Sequence, residues 1–175
     1  MPGETLLDLG CGWGELLHRW LDAHETATAT GIDQDEQAIE RARAKKHPRA
    51  TFVCGDAAAS TDRADVIACV GASHAFGGTD VALRRLRGRS RRLLFGDGFW
   101  ISPPSLALIE MFGPLRDRDG LRAACEGHTI TSFEESTLAE WDAFESAWSD
   151  VPERVLEYGT YRGVLGFAWI LLDEA

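Results

Sequence analysis

The sequence predicts an α/β protein built on a mostly parallel sheet with helices on both faces. Two observations carry this: short apolar runs alternate with amphipathic stretches over the first hundred residues, and the first run ends in a glycine-rich turn. The 175 residues suit one domain, with no repeat, low-complexity tract or linker to mark a second.

Taken in order, "TLLDLG" (5–10) is a short apolar run ending in glycine, as a buried parallel strand requires. Trp13, Leu16, Leu17, Trp20 and Leu21 then recur at helical spacing. "ATATGID" (27–33) is the second strand, and Asp35 caps a helix running to about Lys46, with Pro48 beyond its end. "ATFVCGD" (50–56) and "ADVIACVG" (64–71) are the third and fourth strands. A helix near 79–88 leads to the fifth, "RLLFGDG" (92–98). After that come helices near 103–112 and 119–126, a strand near 128–134, a helix over 138–148 and a closing strand over 163–172.

The net charge of −10 argues against a nucleic-acid partner, which needs cations to displace counterions from phosphates. The basic runs "RARAKKHPR" (41–49) and "RRLRGRSRR" (84–92) each close a predicted helix, where cations complement the dipole. No apolar stretch reaches the length of a membrane span, and the N-terminus lacks a basic-then-apolar signal, so the expected compartment is the cytoplasm. Cys11, Cys54, Cys69 and Cys125 show no metal-ligand spacing and read as buried thiols; no metal site is expected.

In "LLDLGCGWGE" (6–15) Gly10, Gly12 and Gly14 fall at every second position between the first strand and its helix. Such a turn lets a ligand approach the backbone and presents a helix N-terminus. A dinucleotide site has the spacing G-x-G-x-x-G. Here Glu15 stands where the last glycine would fall, and its carboxylate would repel a pyrophosphate and favour a ligand with positive charge.

The stretch "LLDLGCGWG" resembles the first motif of the class I S-adenosylmethionine-dependent methyltransferases. The resemblance implies a Rossmann-like fold: a seven-stranded, mostly parallel sheet with an antiparallel last strand. It covers strands one to five well and the closing strand, but no shared motif is found over 101–160. It implies S-adenosyl-L-methionine as cofactor and S-adenosyl-L-homocysteine as product. The glycine loop, with Asp8, Gly10, Cys11, Gly12 and Gly14, would wrap the methionine part. Asp33, with Gln34, would hold the ribose, and Asp56 and Ala57 in "CGDAA" would reach the adenine, with Val70 at the end of strand four.

The acceptor should lie at the carboxyl ends of strands four and five. His74 in "VGASHAFGG" is the first candidate base, because imidazole titrates near neutrality, and Asp97 is the second. A loop histidine bonded to backbone, and a plain turn at Gly96–Asp97–Gly98, are the alternatives. Ser73, Phe76 and Trp100 are candidate substrate contacts, Phe99 another aromatic on these loops; Trp141, Phe144 and Trp148 read as helix packing.

The family's base-amine methylating motif, Asn or Asp followed by Pro-Pro and an aromatic, is replaced after strand four by "VGAS", and the strand-four carboxylates of its metal-dependent members are missing. The expected substrate is therefore a small organic molecule, without metal, nucleic acid or membrane; a homodimer stays open. A non-catalytic protein binding the same cofactor is the alternative. Residues 101–160 are the expected substrate or lid region; the chain starts almost at its first strand, where family members carry a helical cover, so either this is a minimal or trimmed version, or a partner chain or residues 101–160 supply the lid.

Overall fold

The structure, a computed structural model, describes residues 3–146 and 151–173. The elements run β1 (Thr5–Leu9), α1 (Glu15–Ala23), β2 (Thr28–Asp33), α2 (Glu36–Ala44), β3 (Ala50–Cys54), β4 (Val66–Val70), α3 (Thr79–Leu86) and β5 (Arg92–Trp100). Then follow α4 (Leu106–Phe112), α5 (Arg118–Ala124), β6 (Thr129–Glu135), α6 (Leu138–Ser146), α7 (Pro152–Tyr161) and β7 (Leu165–Asp173). The described strands form one sheet in the order β3-β2-β1-β4-β5-β7-β6, parallel except for β7, which is antiparallel to both neighbours.

Alternation along the strands divides the core between two faces. Leu7, Ile67, Phe95 and Ile170 pack with Leu83, Leu86 and Leu121 of α3 and α5. Leu6, Ala29 and Ala68 pack with Leu17, Leu21 and Ile39 of α1 and α2. Asp35 caps α2 by accepting the N–H groups of Gln37 and Ala38 at 2.9 and 3.2 Å. Arg41 and Arg43 lie in the last turn of α2, and Arg84 and Arg85 in that of α3. Other members of the basic runs tie the backbone: Arg49 donates to the carbonyls of Leu21, His24 and Ala27, and Arg89 to that of Asp62.

Three expectations change, and one helix is additional. Trp13 lies in the loop before α1, with Arg41 stacked over its ring at 4.7 Å. Gly96, Asp97 and Gly98 are not a turn: β5 runs on to Trp100 because β7 pairs with it along its whole length. Helix α7 had no periodic apolar signal, since Val155 and Leu156 face solvent and Gly159 interrupts it. Cys54 is exposed, whereas Cys69 and Cys125 are buried and Cys11 half-buried. Trp148 lies outside the described residues. No described helix is long and apolar enough to cross a membrane.

Candidate functional site

The strand order reverses between β1 and β4, so the loops that follow them diverge and leave a crevice at their carboxyl ends. The glycines of the first loop all adopt left-handed backbone, with φ of 82° at Gly10, 51° at Gly12 and 72° at Gly14. Their surroundings differ. A Cβ on Gly10 would overlap the Ala72 methyl, and one on Gly14 would lie 2.6 Å from the Phe52 ring. Only at Gly12 would a side chain meet nothing within 4 Å. Two of the three glycines thus serve packing between loops and strands, and Gly12 borders open space.

A cleft of about 170 Å³ occupies the crevice, lined by Gly10, Asp33, Gln34, Asp56, Ala57, Gly71, Ala72, His74 and Ala75. Five expected cofactor residues therefore meet in one place. Asp33 also holds the loop: its carboxylate accepts the Gly12 N–H at 2.7 Å and the Asp35 N–H at 2.9 Å. Asp56 caps the 3₁₀ turn Ala57–Ala59 by accepting the Ala58 N–H at 2.8 Å. The remaining expected contacts sit elsewhere. Gly14 faces Phe52, the Cys11 sulfur faces the Gly31 backbone, and a Val70 methyl abuts Gly96 of β5. Asp8 is buried in β1; burial, and then the Asp33 charge, push its carboxyl up to about 7.

The Glu15 carboxylate, expected to favour a cationic ligand, is engaged by cations of the protein itself. Lys45 and Arg19 bind its carboxylate at 2.6 and 2.9 Å and hold it at about 2, so its charge is already answered.

A larger cavity of about 550 Å³ adjoins the cleft, walled by residues 77–81 on one side and 112–116 on the other. His74, on the 3₁₀ turn Ser73–Phe76, lines both. Of the other candidate acceptor contacts, Ser73 alone lines the larger cavity. Phe76 and Phe99 are buried in the main core, and Trp100 packs with Leu108, Tyr161 and Leu165. Ser73 lines the larger cavity but spends its hydroxyl on Asp97 at 3.0 Å. Asp97 is itself buried, and desolvation raises its pKa despite hydrogen bonds from Thr79, Ser73 and Gly98. Sequence reading missed Gly71, Ala72 and Ala75, and the Gly113–Arg116 wall. The available signals were the glycine closing the strand-four run and the Gly-Pro pair after α4.

Residues 6–94, just over half of the chain, match the family described as "Methyltransferase domain". The chain belongs to that family. Uncharacterized protein YjhP of Escherichia coli strain K12 is 29% identical to this methyltransferase domain over 164 residues, covering 83% of the chain and 66% of the relative. Methyltransferase ungE' of Aspergillus campestris is 29% identical over 179 residues, covering 89% and 51%. The domain thus spans between half and two thirds of the length of these curated relatives. Among solved structures, it superposes on a SAM-dependent methyltransferase from Geobacter sulfurreducens in complex with S-adenosyl-L-homocysteine with a TM-score of 0.82 and 26% identity. That match covers 99% of this chain and 86% of the other. The E. coli YjhP crystal structure gives 0.80 and 25% identity, covering 99% and 87%.

Proposed function

We propose that this domain transfers a methyl group from S-adenosyl-L-methionine to a small organic acceptor without a metal. The observation that carries the reading is His74, which lines both the cleft at the strand ends and the larger cavity beside it. The surroundings of the crevice fit the cofactor: a side chain at Gly12 would meet nothing within 4 Å, and each Asp33 oxygen accepts one backbone N–H and keeps a lone pair for a ribose hydroxyl. Asp56 and Ala57 line the far side.

When bound, the cofactor supplies a methyl carbon on a sulfonium. An acceptor's lone pair would take that methyl carbon, and the electron pair of the carbon–sulfur bond would stay on sulfur. The protein's part is alignment and removal of the acceptor's proton. His74 takes that proton, since it is the candidate base that lines both spaces. Asp97 does not, because it is buried in β5 and lines neither space.

Calorimetry with S-adenosyl-L-homocysteine, then an acceptor screen following its formation with and without EDTA, tests the reading. The parent should bind the product and Gly12→Val should not. His74→Ala should lower turnover about 10²–10⁴-fold with product affinity little changed. Binding with no turnover of any acceptor would make the chain a non-catalytic cofactor binder. A parental rate in His74→Ala would end its role as base.

A further inference from the structure

The buried carboxylate of Asp97 is the polar group that the proposed reaction leaves unused. It is 4% exposed in β5, between Phe95 and Phe99, which fill the core on the same face. Packing alone would be served there by another apolar side chain, and a buried carboxylate is costly unless donors surround it. Three do. The Thr79 hydroxyl donates at 2.7 Å to one oxygen, and the Ser73 hydroxyl and Gly98 N–H donate at 3.0 Å to the other.

The two hydroxyl donors come from the two ends of one loop. Ser73 immediately precedes His74, and Thr79 opens α3. Between them the chain closes on itself: Gly77 and Gly78 donate their N–H groups to the carbonyls of His74 and Ser73. Nothing lies within 4 Å of where a side chain on either glycine would point. The segment 73–79 therefore borders open cavity and is held to the sheet at its ends by the Asp97 carboxylate.

We propose that Asp97, through Ser73 and Thr79, is a positioning residue that fixes the 73–79 loop and so sets His74 against the cofactor cleft. This deepens the methyltransferase reading and rests on it. The loop supplies one wall of the cleft at His74 and Ala75 and one wall of the larger cavity at Gly77–Thr79, so a single carboxylate governs the alignment of both.

The test pairs Thr79→Val, which removes one donor, with Thr79→Ser, which keeps it. Ser73→Ala removes the other side-chain donor. Affinity for S-adenosyl-L-homocysteine is measured by calorimetry, and the His74 ring signals are followed by NMR, assigned with His74→Gln. Thr79→Val and Ser73→Ala should each weaken the product about tenfold and move the His74 signals. Thr79→Ser should restore both, a rescue that general destabilisation would not give. Parental affinity and unmoved His74 signals in Thr79→Val and Ser73→Ala would overturn the positioning role while leaving the family reading intact. If the parent fails to bind the product, the cofactor reading falls, and the His74 signals alone decide the positioning role.

Discussion

Asp8 lies in β1 between Gly31 of β2 and Ala68 of β4, 2% exposed, where its ionised form is poorly solvated. Its carboxyl is raised to about 7 from an ordinary 3.8, so the folded state keeps a proton that the unfolded chain has released. The sign follows. Below about pH 4 both states are protonated and nothing is lost; stability falls as pH rises from there to about 7, and the loss is complete above that. At about 1.4 kcal/mol per tenfold, the full effect is about 4 kcal/mol. Asp8→Asn should therefore raise the denaturation midpoint at pH 8 and leave it almost unchanged at pH 3.5, measured by urea unfolding. Equal effects at both pH values would mean that the carboxyl ionises freely in the fold. The glycine loop was legible at this scale, but the partner of each glycine was not. Ala72 and Phe52 come from 62 and 38 residues away, a separation at which no local pattern speaks.

Helices α6 and α7 are joined by two carboxylate clamps. Glu145 is buried and takes Arg154 through both oxygens, at 2.8 and 3.1 Å, with the Tyr161 hydroxyl at 3.0 Å. Asp142 takes Arg162 at 2.7 and 2.8 Å and the Tyr158 hydroxyl at 2.7 Å; these bonds hold it at about 2. The aromatic faces of Tyr158, Tyr161 and Trp141 then border the small core around Trp100 at the carboxyl end of β5. Removing one partner of a buried pair costs about 3–5 kcal/mol, because the other is left uncompensated. Glu145→Ala should speed amide exchange in α6 and α7 while protection in α1 and α2 stays parental. Faster exchange through the whole sheet would show instead that the pair holds the entire fold. The helix over 138–148 was foreseen and α7 was not, since α7 is fixed by these polar pairs more than by an apolar stripe.

Both cores share one sheet, and β5 and β7 join its halves over nine residue pairs. The described elements should therefore unfold together. Calorimetry should give a single transition whose calorimetric and van 't Hoff enthalpies agree. S-adenosyl-L-homocysteine at about 100 times its dissociation constant should add about 2.7 kcal/mol and move that whole transition up by several degrees. Two transitions, of which the product shifts one, would divide the chain into two domains.

Strand and helix types over residues 5–100 were determined by the sequence itself, because apolar period and capping residues such as Asp35 act within a few positions. So were Gly12, Asp33 and Asp56, which stand at strand ends that local pattern can find. Tertiary structure alone decided that Glu15 is neutralised by Lys45, that Phe76 and Trp100 are core, and that Asp97 is a buried anchor. It also decided that His74 faces two cavities at once. The physical reason is the same each time: charge compensation, burial and shared walls are set by segments that meet only when the sheet assembles. Lys45 reaches Glu15 across 30 positions and Ser73 reaches Asp97 across 24, distances that local periodicity does not span.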